Sequence, residues 1–251
     1  MPYPCHIDYQ PAADSLKDRI ILITGAGDGI GHGIAVAAAK HGATVILTGR
    51  TVKKLEATYD LISDAGGPRP AIHPLDLASA TLADYQNFAA AINQEYGRLD
   101  GLLHNAGILG TRTPLAEYDP AEWQMVLQVN LNAGFLLTQA CLPVLKQSPD
   151  ASVIFTSSGV GRQGRAYWGA YSVSKFATEG LMQTWADELE NTSNIRVNSI
   201  NPGPTRTRMR LKAYPGEDRD LLKTPDEIAG TYLYLLGPDS KGITGQQFDA
   251  Q

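Results

Sequence analysis

The chain is 251 residues long, 43% apolar, and carries a formal net charge of -5 at pH 7. Such a composition supports a sizeable core, excludes a disordered chain, and argues against nucleic acid or an anionic membrane as a partner. No apolar run approaches the ~18 to 20 residues that span a bilayer. The 2 cysteines give no disulfide framework and the 5 histidines show no metal spacing, so a cytoplasmic protein without a metal is expected.

In chain order, the opening stretch MPYPCHIDYQPAADSLKDR lacks the apolar region of a secretory signal. It reads as a short arm, 1–17, laid over the domain that follows. RIILITG (19–25) is a continuous apolar run ending in glycine, which predicts a strand buried on both faces. An alanine-rich helix follows at 34–42, stopped by Gly42, then a strand at 43–49 and an amphipathic helix at 51–67. A third strand is predicted at 70–77, a helix at 81–97 and a fourth strand at 98–107. One long helix is expected over 119–147, a fifth strand over 151–158, a second long helix over 168–190 and a sixth strand over 195–203. The segment 204–224 has no periodicity and reads as a lid. A capped helix follows at 224–237, with Thr224 as N-cap and Pro225 in the first turn, and a short last strand lies within 241–250. This alternation predicts an α/β fold. One domain, 18–251, would hold a seven-stranded parallel sheet with helices on both faces.

TGAGDGIGHG, residues 24–33, places glycine at 25, 27, 29, 31 and 33 between the first strand and the first helix. There the N–H groups and dipole of a helix start face a ligand anion. The run lacks the terminal Gly-Lys-Ser/Thr of a nucleoside-triphosphate loop and fits no strict GxGxxG register. Its one ionised side chain, Asp28, is itself an anion, and it is expected to cap the helix start or to orient Arg50. YSVSK puts Tyr171 and Lys175 on one face of a predicted helix. A phenol titrates near ~10 in water and a nearby ammonium favours the phenolate, so the pair is a candidate acid/base unit.

Taken together, these and five further motifs resemble those of the short-chain dehydrogenase/reductase family. They are TGxxxGxG at Thr24, Gly25, Gly29 and Gly31, PLDL around Asp76, HNAG at 104–107, VLQVNLNAGF around Asn130, FTSS ending in Ser158, YSVSK, and NPGPTRT at 201–207. FTSSGVGRQGRAYWGAYSVSKFATEG and the ending FDAQ look like a bacterial branch of that family, the YciK-type oxidoreductases. The resemblance implies a single-domain Rossmann fold and an oxidoreductase that moves a hydride between NADP(H) and a carbonyl or secondary alcohol. It implies that Ser158 hydrogen-bonds the substrate oxygen, that Tyr171 gives the proton, and that Lys175 holds the ribose hydroxyls and lowers the tyrosine pKa. Asn130 would help hold a water in the proton relay.

The cofactor contacts implied are Gly25, Gly27, Asp28, Gly29, Ile30 and Gly31 in the glycine run, and Asp76 at the adenine with Leu77. Asn105, Ala106 and Gly107 follow the fourth strand, Tyr171 and Lys175 serve twice, Pro202 and Gly203 lie under the nicotinamide, and Thr205 and Thr207 complete the set. Arg50 follows Gly49, where a cofactor with a free ribose 2′-hydroxyl meets an acid, and a guanidinium suits a 2′-phosphate. Arg50 is otherwise a surface residue at the next helix start. The preference is for NADP(H), with Asp28 pulling the other way and NAD(H) left open.

The substrate pocket is expected from Ile108, Leu109, Gly159, Arg165 and Trp168 with the loop 204–224. Arg162, Arg165, Arg206, Arg208 and Arg210 favour an anionic small molecule, unless they pair with local acids or lie in a subunit interface. The resemblance also implies a homotetramer or homodimer built through the two long helices. The competing function is a catalytically idle NADP(H)-binding sensor or scaffold; length and motif spacing disfavour a nucleotide-sugar epimerase or lyase.

Overall fold

The computed structural model describes residues 5, 6 and 8–251, the first two as backbone only. Residues 1–4 and 7 of the expected arm lie outside the described residues. The strands are β1 (Cys5–His6), β2 (Ile20–Thr24), β3 (Thr44–Gly49), β4 (Ala71–Pro74), β5 (Gly101–His104), β6 (Ala151–Thr156), β7 (Ile195–Asn201) and β8 (Gln247–Asp249). All pair in parallel, in the order β1-β8-β7-β6-β5-β2-β3-β4. The seven strands read from the sequence are therefore present. The arm adds β1, which extends the sheet edge beside β8.

The helices are α1 (Gly29–Lys40), α2 (Val52–Asp64), α3 (Leu82–Tyr96), α4 (Pro120–Leu145), α5 (Gly169–Glu190), α6 (Arg208–Ala213) and α7 (Ala229–Leu236). Side-chain alternation in the buried strands sets the layers. Ile21 and Ile23 of β2 join Ile34, Leu55, Ile62, Tyr232 and Leu236 in one core, under α1, α2 and α7. Leu22 joins Tyr85, Phe88, Leu137, Cys141, Met182 and Leu189 in the other, under α3, α4 and α5.

Three local features differ from the sequence reading. Helix α1 begins at Gly29, inside the glycine run, and not at residue 34. The long helix α4 contains one π turn, Gln128–Asn132, whose extra residue per turn leaves no trace in apolar spacing. That helix also carries an 18-residue window of mean hydropathy 1.3, long and apolar enough to cross a membrane, where no such stretch was expected. Here Ala133, Leu137, Cys141 and Val144 of α4 pack in the core beneath the sheet.

The chain winds outward from β2 to β3 and β4, then returns to β5 on the other side of β2. The loops after β2 and β5 consequently part at the carboxyl edge, which is where open parallel sheets take their ligands.

Candidate active site

Thr24, the last residue of β2, stitches the two diverging loops together. Its hydroxyl accepts the N–H groups of Asn105 (2.9 Å) and Ala106 (3.0 Å), and the Asn105 amide donates to the Thr24 carbonyl at 3.2 Å. Gly31 must be glycine for this packing, since a Cβ there would collide with the Gly25 carbonyl and the Asn105 amide. The bare backbone thus lets chain approach chain as well as ligand.

Asp28 stands at the N-cap of α1 but makes no side-chain cap bond, and it does not meet Arg50. Both expected roles are corrected. Its carboxylate binds the Lys54 ammonium at 2.5 Å and lies 3.5 Å from the Arg208 guanidinium. Burial pushes its pKa up, but Lys54, Arg208 and the Gly29 N–H outweigh that and hold it below the ordinary value. The acid is therefore neutralised in place. The N–H groups of Ile30 and Gly31 are left without a side-chain cap, at the positive end of a 12-residue helix.

Arg50 is exposed at the end of β3. Asp76 is exposed beyond β4 and accepts the Ala78 N–H at 3.1 Å, and the Leu77 carbonyl accepts Gln128 at 3.3 Å. Gly107 lies beside the Asn130 carbonyl oxygen and the Lys175 ammonium. Across the crevice, Pro202 and Gly203 turn the chain after β7. The last residue holds that turn: the Gln251 amide donates to the Pro202 carbonyl at 2.8 Å and the Pro204 carbonyl at 3.0 Å. A Cβ on Gly203, whose φ is 68°, would strike Gln251. Thr205 folds back on Pro202 at 3.2 Å, and Thr207 caps α6 through the Arg210 N–H at 3.1 Å while its methyl faces Gly29.

The predicted catalytic residues converge at this edge. Ser158, just past β6, hydrogen-bonds the Tyr171 hydroxyl, whereas its neighbour Ser157 is turned into the interior. Lys175 is one helical turn on from Tyr171 and 5% exposed. Its ammonium donates to the Thr156 carbonyl at 2.7 Å and sits 5.7 Å from the Tyr171 ring centre. Burial pushes Lys175 down to about 8, with Glu179 one turn further on pulling it partly back. Burial likewise pushes Tyr171 up to about 12, against the opposing hydrogen bond from Ser158. Desolvation dominates the phenol pKa, and Ser158 works against it.

Asn130 sits in the π turn of α4. Its side chain accepts the Ile108 N–H at 2.8 Å and donates to the Ile108 carbonyl and to Ser174, both at 3.0 Å. Asn130, Lys175, His104, Thr156 and Thr178 line a small cavity behind the lysine. His104, partly buried and stacked on Phe155, is pushed down to about 3 by desolvation and by the Lys175 charge, so it is neutral.

Leu109, Val160, Trp168, Tyr171 and Ala213 form an apolar cluster with Met209 and Tyr214, which places Leu109 and Trp168 against Tyr171. The segment 204–224 is not featureless, since it contains α6 and a short turn of helix at Arg219–Leu221. Gly159 follows Ser158, and Arg165 is exposed. Four of the five flagged arginines pair with acids: Arg162 with Glu179 and Asp249, Arg206 with Asp220, Arg208 with Asp28, and Arg210 with Glu217.

Sequence reasoning missed the wall behind the lysine. Glu179 is 4% exposed and receives Arg162 at 3.3 Å, Ser199 at 2.6 Å and Gln247 at 3.0 Å. Arg162 continues to Asp249, which also holds Asn201 at 2.8 Å. A buried acid four residues after Lys175 was the one available signal. Among the described residues no cluster of three or more His, Cys, Asp or Glu is placed to hold a metal.

A family model described as short chain dehydrogenase matches residues 19–218. The oxidoreductase YciK of Escherichia coli K12 is 54% identical over 243 residues, spanning 97% of this chain and 96% of that one. A short chain dehydrogenase of Shigella flexneri 2a, solved with NADP, superposes with a TM-score of 0.93 at 53% identity, over 96% of this chain and 100% of the other. One from Escherichia coli CFT073, solved with NADPH, gives 0.94 at 55% identity, over 96% and 100%.

Proposed function

We propose, from the premise that this chain belongs to the short chain dehydrogenase family, that it is an NADP(H)-dependent oxidoreductase acting on a carbonyl compound or the corresponding secondary alcohol. The observation that carries this reading is the phenol of Tyr171, hydrogen-bonded to Ser158 and one helical turn from a buried ammonium, at the edge where the sheet's order reverses. A catalytically idle binding protein needs no such desolvated acid.

The residues fit a dinucleotide. The uncapped N–H groups of Ile30 and Gly31 suit a pyrophosphate. Arg50, with Gly49 in place of an acid, suits a 2′-phosphate, and the charge that Asp28 would set against it is already taken up by Lys54 and Arg208. Lys175 is buried with the Thr156 carbonyl as its hydrogen-bond acceptor, so its remaining N–H groups suit ribose hydroxyls. Neighbours in this family that were solved with NADP and NADPH support the same choice. When bound, the nicotinamide supplies or accepts the hydride.

The chain's own work is proton transfer and positioning. Ser158 and Tyr171 converge on one point, so a carbonyl oxygen there receives two hydrogen bonds. Tyr171 is protonated at neutral pH and gives up its proton as charge develops on that oxygen. Lys175, near about 8, stays largely cationic and stabilises the phenolate left behind. The cavity bounded by Asn130, Thr178 and Lys175 is the route by which a proton returns. Leu109, Gly159, Arg165 and Trp168 border the substrate, an anionic small molecule, and 204–224 closes over it. The enzyme works in a reducing compartment, where the buried Cys141 thiol stays free. Phe135, Val173 and Phe176 are exposed on α4 and α5, which supports association of subunits through those helices.

The test is the initial rate of NADPH and NADH oxidation with a panel of ketones and diketones. NADPH is expected to be favoured by at least about 10-fold in kcat/KM, and Arg50→Asp to erase that preference. No oxidation with any carbonyl, or an NADH preference in the unaltered protein, contradicts the reading.

A further inference from the structure

Arg112, in the loop after β5, was not among the arginines that first suggested an anionic substrate. Its guanidinium lies over two rings of the pocket wall, 4.9 Å from the centre of Trp168 and 5.2 Å from the centre of Tyr214. One N–H group reaches the Ala213 carbonyl at the end of α6. Among the described residues no acid pairs with it, and its remaining N–H groups meet no protein acceptor. Trp168 in turn packs against the catalytic phenol, with ring centres 5.8 Å apart. Arg112 is exposed, whereas Arg206, Arg208 and Arg210 on the lid are each engaged by a carboxylate.

A guanidinium resting on two neighbouring rings, whose centres are 6.0 Å apart, is oriented by them, and its edge keeps a planar fork of donors. That fork fits an oxyanion in two-point contact. The aromatic floor fixes its orientation in advance, so little side-chain entropy is lost when an anion arrives. The Ala213 contact ties the same fork to α6, so the residue that meets the anion also holds the lid.

Building on the oxidoreductase reading, we propose that Arg112 is the receptor for an oxyanion on the substrate, and that the substrate class is carbonyl compounds bearing a carboxylate or phosphate.

The experiment compares matched pairs: 3-oxohexanoate with its methyl ester, and dihydroxyacetone phosphate with dihydroxyacetone. Each is titrated calorimetrically into the NADP+-loaded protein, and turnover with NADPH is measured in parallel. The charged member of at least one pair is expected to bind about 10- to 100-fold more tightly, and the pair that shows it separates carboxylate from phosphate. Arg112→Gln is expected to erase that ratio by raising KM more than it lowers kcat, with thermal melting confirming that the variant folds. Arg112→Lys, which keeps the charge but not the fork, is expected to retain only part of it. Equal binding of charged and neutral members, binding of neither, a ratio that survives Arg112→Gln, or one erased by Arg165→Gln in its place, overturns the proposal. Because the binding ratio is read without turnover, it stands or falls separately from the oxidoreductase reading, which fails if NADPH is not consumed.

Discussion

Tyr171 and Lys175 are displaced in opposite directions by one cause. Burial raises the phenol to about 12 and lowers the ammonium to about 8, because both charged forms lose water. Below about 8 the lysine carries its charge and steadies the phenolate; as pH rises through that value the charge is lost. The rate of carbonyl reduction is therefore expected to be level near neutrality and to fall above about pH 8, measured as kcat/KM against pH. Glu179 pulls the lysine upward, so Glu179→Gln is expected to move that fall to lower pH while retaining activity on the acidic side. A profile that rises between pH 7 and 9 contradicts this account. The residue types of the site were legible because YSVSK, HNAG and TGxxxGxG are local spacings. The partners of Arg162 were not: they lie 17 and 87 positions away in the chain, at separations that only the sheet brings together.

At the level of elements, every long helix and buried strand could be read from apolar periodicity, and the exceptions share a physical origin. The early start of helix α1 escaped notice because glycine at 29, 31 and 33 leaves only Ile30 and His32 to carry a pattern. The π turn in α4 turns Asn130 toward Ile108 and Ser174, a choice made by hydrogen bonds and not by hydrophobicity. The tail after β8 was visible only as the ending FDAQ, yet its last amide bonds two carbonyls of the turn after β7. Removing Gln251 is expected to weaken NADPH binding by about 10-fold, a loss worth one or two hydrogen bonds, with little change in thermal midpoint. Direct titration of NADPH checks this, and unaltered affinity would show that the turn holds its shape unaided.

Over the whole molecule, the order of strands does what no single motif does, since it brings the loops after β2, β5, β6 and β7 to one edge. The same burial that arms the site sets an acid limit on the fold. His104 is neutral and pushed down to about 3, whereas an unfolded histidine titrates near 6.5. Between these values the unfolded chain binds the extra proton, so stability falls as pH drops from about 6.5 toward 3. His104→Asn is expected to flatten that slope in urea unfolding measured at several pH values. Subunit association was read from family resemblance, and the surface proposed for it carries the exposed Phe135, Val173 and Phe176. Phe176→Glu is expected to lower the mass seen by light scattering, and an unchanged mass would place the interface elsewhere. The most direct measurement of the central claim pairs NADPH titration with turnover in Tyr171→Phe. The expected result is a dissociation constant within about 2-fold of the unaltered protein and a rate lower by at least about 100-fold, the contribution of a positioned general acid. A variant that binds NADPH equally well and still reduces carbonyls at the original rate would contradict it.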